Sequence, residues 1–185
     1  MALRRGFKNE AELTALELRA EIGLHKTDPL DPWRLASHLE VPIQRLSEFE
    51  HEAPSAARYF RAEGESQFSA VTVFQGTARV IIHNDSHSRA RQASDITHEL
   101  SHALLGHQPS QALDERGCRL WDQTVEDEAN WHSGALLIPA PAAWMVAAHG
   151  TSLQRAALRY GVSEQMMRYR INVTGAGKAN LRKRM

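Results

Sequence analysis

The apolar residues of the chain repeat with the period of an α-helix in most stretches and with the density of a β-strand in only a few. The first helix is predicted to begin near Asn9 and to stop at Gly23. Its apolar positions are Leu13, Leu16, Ala20 and Leu24. A second, short helix is predicted where Asp31 stands as an N-cap before Pro32. The first part of the chain is therefore predicted to be helical.

Strand-like runs follow. A brief strand is predicted at residues 41–46, and the polar residues 47–55 predict a loop. Residues 68–74 and Ala78–His83 are rich in β-branched and aromatic side chains, and Gly76 separates them. This arrangement predicts a β-hairpin.

The remainder of the chain returns to the helical period. A long helix is predicted at residues 88–105, closed by Gly106, and another at 124–137, stopped by Pro139 and Pro141. Three shorter helices are predicted at 142–149, 152–160 and 163–173. Many helices with one small sheet predict an α+β fold.

Composition narrows the classes of protein that fit this pattern. The 185 residues carry 22 Lys and Arg against 22 Asp and Glu, so the overall charge indicates no nucleic-acid partner. Cys118 is the only cysteine, which excludes an intrachain disulfide. No secretory signal is visible, and the most apolar segment, 134–148, is shorter than the ~20 residues that cross a bilayer. A cytoplasmic protein with no membrane partner is predicted.

The predicted helix at 88–105 contains the sequence His98-Glu99-Leu100-Ser101-His102. Four residues advance a helix by ~400°, so the two imidazoles emerge about 40° apart and one turn along the axis. Both can therefore bind one zinc ion. Glu99, beside the first ligand, can reach a metal-bound water without itself binding the metal, as a general base requires.

A hydrolytic zinc needs a third protein ligand, and the sequence leaves three sources open. One is a histidine downstream of the motif, but the offsets at which some enzymes carry Gly and His fall here on Leu105 and Gln108, and His107 misses by one residue. Another is a thiolate from Cys118, although a lone cysteine is more often packing.

The favoured source is a glutamate in the predicted helix at 124–137. Glu126 and Asn130 lie one turn apart on one face, so one can bind the ion while the other orients a histidine ligand. Glu128 does not share that face and is therefore the weaker choice. The competing interpretation of Glu126 is a solvated first-turn glutamate that complements the helix dipole.

Taken together, these segments resemble the ImmA/IrrE family of metallo-endopeptidases. The resemblance includes the motif at 98–102, the sequence Glu126-Asp127-Glu128-Ala129-Asn130, and the ending Leu136-Leu137-Ile138-Pro139. It extends upstream through residues 29–36 and through the strand that leads to Asn84 and Arg91. The chain departs from the family at Trp131 and His132, where a residue followed by Phe-Ala is usual.

The resemblance implies a zincin-like fold with one Zn²⁺ between two helices beneath a small mixed sheet. It also implies a protein substrate, a helix-turn-helix transcriptional repressor. Residues 1–150 would form the metallopeptidase domain, residues 151–174 a helical extension packed on it, and residues 175–185 a flexible basic tail. Three side chains are candidates for the donor that stabilises the oxyanion, and the sequence does not choose among them: His107, His132 and Tyr169.

Two other classes of function compete with a peptidase. The segment Tyr160-Gly161-Val162-Ser163 between two short helices resembles the turn of a helix-turn-helix, and Arg168 and Arg170 could face DNA phosphates. Against this, an apolar stripe indicates packing beside the main domain; it consists of Leu158, Val162, Met166, Met167 and Ile171. The third class is a metal-bound sensor without peptidase turnover.

Overall fold

A computed structural model describes residues 3–76, 78–107 and 122–177. Within these ranges the chain forms eight α-helices and three β-strands. In chain order they are α1 (Phe7–Glu21), α2 (Pro32–His38), β1 (Ile43–Arg45), α3 (Pro54–Arg61), β2 (Ala70–Gln75), β3 (Ala78–His83), α4 (Arg89–Leu104), α5 (Gln123–Leu137), α6 (Ala140–Ala148), α7 (Leu153–Tyr160) and α8 (Glu164–Val173). The predicted α+β class is confirmed.

The three strands form one mixed sheet in the order β1-β3-β2. β1 runs parallel to β3, with Ile43 opposite Ile81. β2 and β3 form the predicted hairpin, an antiparallel pair with Ala70 opposite His83. The first strand is shorter than predicted, because Leu46 begins a 3₁₀ turn, Leu46–Phe49, instead of extending β1.

One helix was not predicted from the sequence. α3 begins at Pro54, inside the segment predicted as a loop. Pro54 stands at a position where its missing N–H costs nothing, and Ala57 is the one residue of α3 that is fully buried. A helix that buries a single alanine leaves almost no apolar period in the sequence, which explains the error.

The ends of α4 and α5 agree with the sequence prediction, whereas the start of α6 does not. Ser88 caps α4 by accepting a hydrogen bond from the Arg91 N–H, and Gly106 follows the helix with φ of 66°. Pro139 ends α5, but Pro141 lies in the first turn of α6, so that helix begins at Ala140 and not at residue 142. Proline is tolerated there because the first-turn N–H has no intrahelical partner.

Two hydrophobic clusters share α5. The first packs α1, α2, α4 and the sheet against the last turn of α5 and includes Leu35, Ile81, Ile96, Leu100 and Leu136. The second packs α6, α7 and α8 around its end and includes Leu137, Ile138, Tyr160, Val162 and Met167. Leu158 is 85% exposed and so takes no part in the predicted apolar stripe. The division at residue 150 stays a prediction, and residues 178–185 of the predicted tail lie outside the described residues.

Two buried arginines cap the carboxyl end of α5. Arg19 of α1 donates to the carbonyls of Leu136 and Leu137, and Arg170 of α8 donates to the Ile138 carbonyl at 2.8 Å. Arg170 also forms an ion pair with Glu12. A side chain on Gly134 would place its Cβ 3.1 Å from the Arg170 side chain, so glycine leaves room for it. The Arg170 side chain is fully buried against the Ile138 carbonyl, at the end of α5 where the helix leaves carbonyls without intrahelical partners. The prediction that Arg170 faces DNA phosphate is therefore wrong.

In the ranges that the structure describes, every helix is too short or too polar to cross a bilayer.

Candidate metal centre

Helix α4 presents the two histidines of the motif beside its buried face. That face repeats at intervals of three and four residues and consists of Ala93, Ile96, Thr97, Leu100 and Ser101. Its two hydroxyls are satisfied within the helix, since Thr97 donates to the Ala93 carbonyl and Ser101 to the Thr97 carbonyl. His98 and His102 form the adjacent row, half-buried, where a ligand can reach them.

Helix α5 presents the predicted carboxylate opposite these rings. Asp122 caps the helix by accepting from the N–H groups of Thr124 and Val125, so Glu126 lies in the first turn. Ala129 is fully buried, and its small side chain lets α4 and α5 pack closely. α5 therefore places Glu126 directly across from α4.

Three potential ligand atoms meet between the two helices. Nε2 of His98 lies 3.0 Å from Nε2 of His102 and 3.2 Å from Oε2 of Glu126. Nε2 of His102 lies 3.7 Å from Oε1 of Glu126. These are the residues that the described part of the chain brings together as a possible metal site.

The donor set fits a zinc ion. Ligands bound tetrahedrally at 2.0–2.1 Å lie about 3.3 Å apart, and the three separations fall on either side of this value. Two imidazole nitrogens and one carboxylate oxygen suit zinc, and a catalytic zinc keeps its fourth position for water. The side chains remain 20–22% exposed, so solvent reaches them.

The electrostatics of the two rings differ. Burial lowers the pKa of His98, but the hydrogen bond to Glu126 and the charges of Glu99 and Glu126 outweigh it and raise the pKa overall. Burial and the neighbouring His98 lower the pKa of His102 to about 4. The second ring is thus kept neutral, as a metal ligand must be.

Glu99 faces the sheet side of the same site. Its Oε2 accepts a hydrogen bond of 2.6 Å from the Thr72 hydroxyl on β2. Burial raises the pKa of Glu99, while the bond from Thr72 opposes that shift. A carboxylate with a raised pKa is a better proton acceptor near neutral pH. The contact with Thr72 was not predicted, because nothing in the strand sequence marks which residue faces α4.

A cleft of about 450 Å³ opens at His98 and Glu126. Asn130 lies on its wall, and a hydrogen bond between its side chain and the His98 ring contributes to the raised pKa of that ring. Helix α8 contributes the opposite wall, including Tyr169. The other lining residues are Ser94, Asp95, Ser133 and Met166. Helix α8 thus helps to form the cleft.

Two other predicted candidates lie away from the ligand atoms. His107 contacts the far side of the His102 ring, with its Nδ1 3.0 Å from Nδ1 of His102. Glu128 contacts His107 and Arg4, at the back of the site. The alternative ligand Cys118 lies outside the described residues, as does Gln108, the position at which some enzymes carry a histidine.

His132 does not reach the cleft. Its side chain is fully buried, and among the described residues neither ring nitrogen has a hydrogen-bond partner. Burial, together with the charge of His107, lowers its pKa to about 4, against the opposing effect of Glu10. Of the three candidate oxyanion donors, only Tyr169 lines the cleft.

Comparison with known protein families identifies the domain. The family model Peptidase_M78, described as the IrrE N-terminal-like domain, matches residues 51–172, more than half of the chain. The chain belongs to this family. Membership in Peptidase_M78 makes it a metallopeptidase-type hydrolase with a zincin-like fold, and it confirms the resemblance seen in the sequence. His98, His102, Glu126, Asn130 and Tyr169 all lie inside the matched range. A search of curated proteins gave no match.

Proposed function

We propose that the protein is a zinc-dependent endopeptidase. One Zn²⁺ is held by His98, His102 and Glu126, and Glu99 is the general base. The observation that most supports the proposal is the meeting of three ligand atoms within 4.8 Å of one another, at a solvent-accessible cleft, in a chain of a peptidase family.

Each side chain has a separate task in this proposal. When bound, zinc supplies a Lewis acid that polarises the scissile carbonyl and acidifies water. The Glu99 carboxylate takes the proton of the attacking water and delivers it to the leaving amine. Thr72 holds Oε2 of Glu99 in one orientation, and Asn130 holds the His98 ring. The phenol of Tyr169 is the donor we assign to the developing oxyanion, since it lines the cleft.

The edge of the sheet offers a place for an extended peptide. β2 is an edge strand in the order β1-β3-β2, and it carries Thr72 toward Glu99. A substrate strand added there would make main-chain hydrogen bonds beside the catalytic carboxylate. We propose a cytoplasmic protein substrate, a helix-turn-helix repressor, on the strength of the resemblance to the ImmA/IrrE family.

The general-base role is tested by co-expressing the protein with the products of its neighbouring genes and identifying cleaved peptide bonds by mass spectrometry. We expect one repressor to be cut by the wild type, and Glu99→Gln to lose about 10²–10⁴-fold in rate while it retains zinc. Glu17→Gln, an exposed change on α1, is the control and should cleave normally. Continued cleavage by Glu99→Gln would remove Glu99 as the base.

The ligand role of Glu126 is tested by zinc content. Glu126→Ala should lose bound zinc after dialysis, as measured by atomic emission. Glu164→Ala is the matched control, because Glu164 is also a first-turn glutamate, on α8. Equal zinc in both variants would mean that Glu126 only complements a helix dipole.

A further inference from the structure

Both ring nitrogens of His102 contact other polar side chains. Nε2 faces Glu126 and His98, whereas Nδ1 lies 3.0 Å from Nδ1 of His107. Gly106, with φ of 66°, turns the chain back after α4, and the His107 N–H donates to the His102 carbonyl at 3.0 Å. The turn therefore holds the His107 ring against the ring of His102.

The contact continues away from the cleft as a chain of polar groups. Nε2 of His107 lies 3.6 Å from Oε2 of Glu128, on α5. Oε1 of Glu128 accepts from Nε of Arg4 at 3.1 Å, and Arg4 binds both carboxylate oxygens of Glu10 at 2.8 and 2.6 Å. The His107 and Glu128 side chains are only 10–12% exposed, so water competes little for these contacts.

The contact with Glu128 determines which nitrogen carries the proton on each of the two rings. A carboxylate carries no proton to donate, so the Glu128 oxygen 3.6 Å away favours the tautomer of His107 with its proton on Nε2. Nδ1 of that tautomer is an acceptor, and it accepts a hydrogen bond from the Nδ1–H of His102. This leaves Nε2 of His102 as the nitrogen with a free lone pair, and Nε2 is the atom that faces Glu126.

We propose that His107, Glu128 and Arg4 act as a positioning relay that holds His102 in its Nε2-ligating tautomer and thereby raises the affinity for zinc. The relay rests on the proposed function, since it presumes that His102 is a ligand. Partners of this kind behind a ligand histidine typically contribute 10–100-fold in metal affinity. Through Glu128, the relay connects the site with Arg4, a residue that precedes α1 and lies outside the matched family range.

The first experiment measures zinc affinity of the full chain by competition with a chromophoric chelator. His107→Phe keeps a ring but removes the acceptor, and should weaken zinc binding 10–100-fold. His107→Asn restores an acceptor near the position of Nδ1 and should recover most of that loss. His38→Phe is the control, because His38 makes a similar contact with Glu21, at 3.5 Å, far from any proposed ligand. Thermal melts verify that each variant is folded.

The second experiment reads the tautomer itself. Long-range ¹H–¹⁵N spectra of the metal-free protein at pH 8 should show the proton of His102 on Nδ1 in the wild type. In His107→Phe the proton should move toward Nε2, the site preferred by a free imidazole, and His107→Asn should keep it on Nδ1. A merely structural role for His107 would not move this proton.

The outcomes separate the relay from the metal site. Wild-type protein that binds no zinc would overturn the metal centre and the relay with it. A wild type that binds zinc, with an unchanged affinity in His107→Phe, would overturn the relay alone. Equal losses in the Phe and Asn variants would also overturn it, since the acceptor would then be irrelevant.

Discussion

Charged side chains lie at both ends of α5, but their environments differ. At the amino end, Glu126 and the two histidines of α4 stay about one-fifth exposed, and Glu126 and His98 line a cleft. At the carboxyl end, Arg19 and Arg170 are fully buried on the last carbonyls of the helix. Buried charge that is held by fixed partners orders the fold around it, whereas charge left open to solvent can still accept a ligand. The carboxyl end of α5, sealed by the arginines, thus serves stability, and the amino end, open to solvent, serves chemistry.

The largest effect is expected at the sealed end. Arg170→Met removes the partner of Glu12 and of the Ile138 carbonyl, and should lower the free energy of unfolding by about 3–5 kcal/mol in urea titrations. Arg168→Met changes an exposed arginine on the same helix and should stay within about 0.5 kcal/mol. Folded Arg170→Met should bind zinc as the wild type does. A loss of zinc affinity would show that the two ends are not independent.

A second prediction concerns His132, which lies on α5 between the two ends. Its pKa of about 4 in the folded state is below the ordinary value, so the unfolded chain takes up its proton first as the pH falls. The neutral His132 ring makes its full contribution to the free energy of unfolding above pH ~6.5. This contribution is lost as the pH falls toward 4, and the loss is about 2 kcal/mol at pH 5.

The measurement is a pair of urea titrations at pH 7.5 and pH 5 for the wild type and for His132→Leu. The variant has no imidazole to protonate, so its stability should fall by about 2 kcal/mol less between these pH values. If the free energy of unfolding fell by the same amount between these pH values in both proteins, His132 would take up a proton without cost in the folded state.

At the open end, Thr72→Val removes the hydroxyl that orients Glu99. A hydrogen bond to a charged group contributes about 1.5–3 kcal/mol, so kcat should fall about tenfold or more while KM changes little. Thr72→Ser keeps the hydroxyl and should restore most of the rate. An equal loss in the serine variant would point to packing of the methyl group instead.

The smallest effect is expected from the cap of α5. Asp122→Ala should cost about 1 kcal/mol of stability, and it should also weaken zinc binding, because the cap fixes the turn that carries Glu126. Asp31→Ala removes the equivalent cap of α2, which accepts from the Trp33 N–H at 3.0 Å, and should cost as much without affecting zinc. Calorimetry measures the stability of each variant, and chelator competition measures its zinc affinity.

Much of the fold follows from local sequence. Ser88 and Gly106 delimit α4, and the period of Ala93, Ile96 and Leu100 orients it, because capping and burial of an apolar stripe act within a few residues. The same local geometry made His98 and His102 predictable as a pair. α3 and the true start of α6 were not predicted, since each depends on contacts that leave a weak local pattern.

The sequence by itself determined the α4 motif, the spacing of Glu126 and Asn130 on one helix face, and the family resemblance. Only the tertiary structure decided that Glu126 meets the histidines while Glu128 lies behind them, that Thr72 touches Glu99, that Tyr169 lines the cleft, and that Arg170 and His132 are buried. The physical reason is distance along the chain. Helix geometry fixes neighbours three or four residues apart, but contacts between remote segments depend on how whole elements pack.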